Sequence, residues 1–254
     1  MRLNFIEIGS GQPMVILHGL FGSLDNWMTI ARRFAENHQV FLVDQRNHGK
    51  SGHVDEHSYE AMSDDLLSFF EEHGLTNVLL VGHSMGGKTA MQFAVDHADR
   101  LNRVVVVDIG PQGYEVHHDL IIRSMQSLDL EKITSRKEAE EELANMIEQS
   151  DTRQFLLKNL YRTKADDGSP KYAWRFNLEV IAKEIEEVGL PIDGSCDLPM
   201  LFIRGKRSNY LMEDQMGEIR TQFPNSELIA LNSGHWVHAE DPDGLFEAIT
   251  DFSK

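Results

Sequence analysis

Residues 78–90 read VLLVGHSMGGKTA, an apolar run broken by glycines around a single serine. Within it, Gly82-His83-Ser84-Met85-Gly86 has the spacing G-x-S-x-G. A serine at a sharp strand-to-helix turn is pushed out beyond the sheet, and neighbouring chain passes so close that positions two before and two after tolerate little beyond glycine. The helix that follows aims its free N–H groups and positive dipole end at charge developing near the serine. Ser84 is therefore read as a nucleophile for acyl transfer, against the plain alternative of a glycine-rich packing turn. The pattern alone is common. A buried strand before it and a helix after it give it weight.

Such a serine needs a base, a group that orients the base, and donors for an oxyanion. The base must be chosen among twelve histidines. His235, in ELIALNSGHWVHAEDP, follows the last apolar run and precedes the final helix, so it can reach the carboxyl edge of a sheet. His238 is the rival, but Gly234 frees the chain to turn at His235, and His238 is read as packing or capping near the helix start. MVILHGLFGS (14–23) supplies a strand ending in His18-Gly19 and a glycine-rich stretch after it. The N–H groups of Leu20 and Met85 are the expected oxyanion donors, with His18 bracing the loop. VVVVDIGPQ (104–112) closes four valines with Asp108. That carboxylate is either a strand end meeting water or the orienting acid.

The elements that must carry these residues are legible as short apolar runs alternating with helical stretches. MVILHG (14–19), VFLVDQ (40–45), VLLVGH (78–83), RVVVVD (103–108), MLFIRG (200–205) and ELIALN (227–232) are apolar on both faces, as central parallel strands are. Trp27, Ile30, Ala31 and Phe34 mark one helix, and Tyr59, Met62, Leu66, Phe69 and Phe70 a second that stops at Gly74. Asp241-Pro242 opens the last helix, with Leu245, Phe246, Ile249 and Phe252 facing inward. The class is α/β, with a mostly parallel central sheet and helices on both faces. The alternation fails between Pro111 and Pro199. There a capping box at Ser135 and Glu138 starts one helix, Leu178, Ile181, Ile185 and Val188 stripe another, and residues 160–176 form a hairpin turning at Asp167-Gly168. The expected division is a core of residues 1–110 and 196–254 and a mostly helical cap of residues 111–195, inserted before the penultimate strand.

Composition bounds the partners. The 254 residues carry 24 Lys and Arg against 41 Asp and Glu, a formal charge of −17, which opposes nucleic acid and anionic membrane surfaces. The single cysteine, Cys196, has no neighbouring base and fits a reducing compartment. No secretory pattern opens the sequence, and no run nears the ~18 apolar residues of a membrane span, so a cytoplasmic protein, monomer or homodimer, is expected. No zinc H-E-x-x-H helix and no phosphate loop occurs, so neither metal nor organic cofactor is expected.

HGLFGS, DQRNHGKSG, GHSMGG, VVVVDIGP and GHWVHAE, spread over residues 18–240, resemble the α/β-hydrolase superfamily. RNHGKS, QFLLKNL, WRFN and GHWVHAE narrow the likeness to the small YbfF-type serine esterases and their mitochondrial relatives. The resemblance implies a sheet of eight strands or slightly fewer, a helical cap, and cleavage of a small-molecule acyl ester or thioester through an acyl-serine. It also exposes a departure. Most members carry the acid after the strand matching MLFIRG, and there Ser208 stands instead. The resemblance to YbfF-type enzymes implies Asp108 as the acid, one strand earlier; Asp214 and Glu213 remain alternatives. Phe21, Met85, Trp174 and Trp236 are expected to line the pocket, with core packing as the alternative for each. Asp44 and Arg46 are expected to form an ion pair holding the loop beside the nucleophile, although Arg46 or Lys88 could instead meet an anionic leaving group such as coenzyme A. A carbon–carbon bond hydrolase of the same fold would keep Ser84 and His235. A non-catalytic binding homologue would usually lose the base or the acid.

Overall fold

The computed structural model describes residues 1–164, 168 and 170–254. In chain order the elements are β1 (Phe5–Gly9), β2 (Gln12–Leu17), α1 (Met28–Phe34), β3 (His38–Val43), α2 (Tyr59–Glu72), β4 (Val78–His83), α3 (Met85–Asp96) and β5 (Leu101–Val107). Then come α4 (Asp119–Ser127), α5 (Arg136–Ala144), α6 (Ser150–Leu157), β6 (Leu160–Lys164), β7 (Pro170–Trp174), α7 (Leu178–Lys183) and α8 (Ile185–Gly189). The chain returns through β8 (Met200–Gly205), α9 (Met216–Gln222), β9 (Ser226–Leu231), α10 (Val237–Glu240) and α11 (Pro242–Phe252). Among the described residues no helix is long and apolar enough to cross a membrane.

The main sheet has the order β1-β3-β2-β4-β5-β8-β9, with β1 antiparallel to β3 and every other pairing parallel. Its inner strands are apolar on both sides because both sides are covered; ELIALN instead forms β9 at the sheet's edge, where Glu227 and Ile229 are exposed, so that run is not the central strand its pattern suggested. In β5, Val104 and Val106 join α2 and α3 in one core, while Val105 and Val107 join α1 and α11 in the other. Burying a Val or Leu side chain contributes about 1.5–3 kcal/mol, so β5 alone gives strong reason for the sheet to form. From β2 the chain goes to β3 on one side and then crosses back to β4 on the other. The loops after β2 and β4 therefore part, and a crevice opens at the strands' carboxyl ends, where α/β sheets bind ligands.

Between β5 and β8 the chain forms the short helices α4 to α8 and the β6–β7 hairpin. Asp167, half of the expected turn, lies outside the described residues. Ser135 accepts the Glu138 N–H as a cap should, but Glu138 takes the Thr134 N–H instead of closing a box on Ser135. The stripe from Leu178 to Val188 is broken at Glu184 into α7 and α8.

The two ends of this segment meet at a neck. Ile192 N–H donates to the Pro111 carbonyl at 2.8 Å and Tyr114 N–H to the Gly189 carbonyl at 2.8 Å. Lys88, buried on α3, donates to the Gln112 carbonyl at 2.9 Å and to that of Leu190. Its ammonium sits 5.0 Å from the Tyr114 ring centre. Burial pulls its pKa down to about 8.

Candidate active site

Three strand ends bring the site together. Ser84 caps β4 with φ 53° and ψ −121°, a conformation side chains avoid. The turn closes because residues 82 and 86 are glycines. A Cβ on Gly82 would strike the Gly86 carbonyl, and one on Gly86 would lie 2.6 Å from the carbonyl oxygens of His18 and Leu17. The Ser84 N–H donates to the Val107 carbonyl at 3.0 Å, tying the elbow to the next strand. Asp108, at the end of β5, is also left-handed (φ 54°), as is Phe21 after β2 (φ 57°). Such residues cost about 1–3 kcal/mol each and persist only where the surroundings over-determine them.

His235 Nε2 lies 3.1 Å from Ser84 Oγ, and its Nδ1 lies 2.8 Å from Asp108 Oδ2. Asp108 is fully buried. Its Oδ1 accepts the Gly205 N–H at 2.8 Å, and its Oδ2 accepts the Ser208 hydroxyl. Ser208 thus stands where the commoner pattern has a carboxylate and donates to the one that replaces it. β5 and β8 are neighbours, so either strand end can present an acid to the same imidazole. Asp214 and Glu213 sit in the exposed 3-10 turn Glu213–Gln215.

The other histidines around the site brace it. His83 Nε2 donates to the His235 carbonyl at 2.8 Å, and burial holds its pKa well below the ordinary value. His238 stacks on Trp27 with centroids 4.9 Å apart, so it is the structural member of the pair. His18 donates from Nδ1 to the Gly19 carbonyl (2.9 Å) and accepts the Gln45 N–H at Nε2 (3.1 Å). Burial lowers its pKa despite the opposing charge of Asp44.

Leu20 and Met85 flank Ser84, and among the described residues no acceptor faces the Leu20 N–H. Met85 opens α3, where the first N–H groups have no partner within the helix. The left-handed Phe21 between them and the cap is clamped from two sides. Its N–H donates to His48 Nε2 at 3.1 Å, and its carbonyl accepts from Asn159 Nδ2 at 2.7 Å. His48 and Asn159 are both buried. Neither was legible as a site residue, although both fall in the quoted stretches RNHGKS and QFLLKNL. Tyr210, whose ring packs 4.2 Å from that of His235, carried no signal at all.

A cleft of about 690 Å³, mouth included, opens over Ser84 and is lined by Phe21, Phe155, Trp236 and His118 among others. Phe21 and Trp236 thus stand where the sequence put them, and Trp236 packs on Phe155 with centroids 5.4 Å apart. Trp174 does not line this cleft. It stacks on Phe176 (5.3 Å, 11°), which in turn packs on Phe21, so it backs the wall from behind. Asp44 and Arg46 do not pair either. Asp44 accepts the Leu24 and Lys50 N–H groups at 2.8 and 2.9 Å, while Arg46 binds Asp65 at 2.7 Å and Glu56 at 3.3 Å. With Arg46 paired and Lys88 turned to backbone carbonyls, neither cation faces Ser84.

Comparison with known proteins places the fold. A family model described as the alpha/beta hydrolase fold matches residues 12–136. The chain is 37% identical to the mouse (Mus musculus) "sn-1-specific diacylglycerol lipase ABHD11" over 99% of its own length and 84% of the mouse protein. It is 35% identical to "Esterase YbfF" of Escherichia coli strain K12, covering 94% of this chain and 92% of that one. A solved structure titled "Marine microorganism esterase" superposes with a TM-score of 0.93 at 39% identity, over 98% of both chains. The chain belongs to the α/β-hydrolase fold family. Within it, the protein is a hydrolase of the carboxylesterase type.

Proposed function

We propose that the chain cleaves small-molecule acyl esters through an acyl-serine intermediate, with Ser84 as nucleophile, His235 as base and Asp108 as acid. The observation that carries this is the continuous line from buried Asp108 through His235 to Ser84 Oγ, at 2.8 and 3.1 Å. His235 takes the Ser84 proton as Oγ attacks the carbonyl carbon, and returns it to the departing oxygen. Asp108, already accepting from Gly205 and Ser208, holds the Nδ1–H tautomer and stabilises the imidazolium. The Leu20 and Met85 N–H groups receive the oxyanion in both half-reactions. Residues 111–195 act as a cap over the cleft, lending it His118 and Phe155. Oxygen esters are favoured over acyl-coenzyme A thioesters, because Arg46 and Lys88, the cations considered for an anionic leaving group, are already engaged.

The reading is tested by treating the protein with a fluorophosphonate reagent and locating the adduct by mass spectrometry. A single adduct on Ser84, with loss of p-nitrophenyl butyrate hydrolysis, is expected. An active protein with no adduct at Ser84 removes the proposal.

The clamp on Phe21 adds a second expected result. Asn159→Leu removes the donor that fixes the carbonyl of a strained residue beside the oxyanion donor Leu20. A small misplacement of such a group costs about tenfold to a hundredfold in rate. kcat should fall by that amount with KM within about twofold, measured on one ester by steady-state kinetics. Unchanged kcat would show that the clamp plays no part in turnover.

A further inference from the structure

A second cavity, of about 400 Å³, also reaches Ser84. It shares Leu20, Ser84, His118 and Tyr210 with the larger cleft, so these residues form a divide with the nucleophile on it. The two sides differ in what else they contain. Of the two, His235 and Trp236 line the larger cleft and not the smaller chamber; Met85, Tyr59, Val116 and Val188 line the smaller chamber and not the cleft. The chamber's tyrosines present apolar surface, because the Tyr59 hydroxyl donates to the Val188 carbonyl at 2.8 Å and that of Tyr114 to the Tyr210 carbonyl at 2.6 Å.

We infer that the two chambers sort the two halves of the substrate, with the leaving alcohol in the cleft beside His235 and the acyl group in the smaller chamber past Met85. This rests on the ester-hydrolase reading above. The argument is one of proton delivery. In the tetrahedral intermediate the carbon holds Ser84 Oγ, an oxyanion, the acyl substituent and the departing oxygen. The oxyanion faces Leu20 and Met85. The departing oxygen must take its proton from His235 Nε2, which opens into the larger cleft. The acyl substituent is left with the side that lacks His235. The C–O bond to the alcohol breaks as that proton arrives, and the alcohol is free to leave from the larger cleft while the acyl group stays on Ser84.

The unequal chambers then set a preference. The chain favours a short acyl group joined to a large apolar alcohol. The larger cleft offers Phe21, Phe155 and Trp236 to the alcohol, whereas the smaller chamber offers the acyl group less space, between Val116, Val188 and the exposed Glu115.

Two substrate series separate the halves. One keeps p-nitrophenol and lengthens the acyl group from acetate through butyrate to octanoate and laurate. The other keeps acetate and enlarges an unactivated alcohol from ethyl to benzyl to 2-naphthylmethyl, followed by titration of released acid. kcat/KM should drop at least about tenfold between butyrate and octanoate and rise at least about tenfold from ethyl to 2-naphthylmethyl. Val188→Ala, or Val116→Ala if the first fails to fold, should move the acyl cutoff to longer chains and leave the alcohol series alone. Phe155→Ala should flatten the alcohol series and leave the acyl cutoff in place. The opposite assignment of the variants, or an acyl series that neither valine variant moves, overturns the inference while the esterase reading stands. If no ester in either series is turned over and Ser84 carries no fluorophosphonate adduct, both readings fall together.

Discussion

Asp108→Asn is expected to lower kcat about 10⁴-fold while leaving the fold intact, because it reverses the imidazole tautomer. Gly205 N–H requires an acceptor at the Oδ1 position, so the asparagine must place its carbonyl there. Its NH2 then faces both Ser208 Oγ and His235 Nδ1, where the carboxylate had accepted. An imidazole that accepts at Nδ1 carries its proton on Nε2, and it cannot take the proton of Ser84. The companion variant Asp214→Asn, in an exposed turn, should keep wild-type kcat. Initial rates on p-nitrophenyl butyrate, with circular dichroism to check folding, decide between them. Loss of turnover in Asp214→Asn with Asp108→Asn intact would move the acid to the later strand end.

Stability should fall steeply on mild acidification. His18, His48, His57 and His83 are buried, and burial is the leading cause that lowers the pKa of each, that of His57 to about 3. His118 and His238, at the cleft, are held at about 4. Burial disfavours the charged form of these rings in the folded protein, whereas the unfolded chain protonates each near the ordinary value of about 6.5. Their contribution is therefore present above that value and lost as pH falls toward the folded pKa values, since the unfolded state binds more protons. His57, held at about 3, alone costs about 1.4 kcal/mol by about pH 5.5 relative to neutral pH, and the other buried rings add to that loss in the same direction. A domain has about 5–15 kcal/mol in all. Urea midpoints at pH 7.5, 6.5 and 5.5 should show little change over the first interval and a large drop over the second. A midpoint constant down to pH 5.5 would mean these rings titrate normally in the folded state.

The legibility of the site followed the kind of signal each residue leaves. The strands were readable because five of the six apolar runs are buried on both faces, and the sixth, at the edge strand β9, keeps the apolar pattern although Glu227 and Ile229 are exposed. Their starts slipped by about two residues at β2 and β3, where half-exposed Gln12, Pro13 and Gln39 pair in the ladder without adding apolar pattern. Ser84 and His235 announce themselves through glycines that a tight turn requires. Asp108 was visible only because Ser208 left a vacancy. His48 and Asn159 act through single long-range contacts with Phe21, 27 and 138 residues away, and no periodicity marks such a partner. The pairing of Arg46 failed for the same reason: its carboxylate, Asp65, comes from the helix α2 rather than from the adjacent strand end. Trp174 shows the limit of residue type alone, since an aromatic beside a pocket and one behind its wall read identically.

The neck knotted by Lys88 has a consequence for how the chain can vary. β5 and β8 lie side by side, and the excursion between them leaves and returns through one narrow passage pinned at Gln112 and Leu190. Closing that passage costs loop entropy that grows only slowly with the length enclosed. What lies beyond the neck can therefore vary in length at little entropic cost, so long as it still packs where Ile122, Met125 and Leu156 join the cluster of Val104 and Val106. A graft between Pro111 and Ile192 can rewrite both chamber walls while nucleophile, base and acid stay behind on the sheet, provided the new piece returns a donor to the carbonyl that Asn159 now holds.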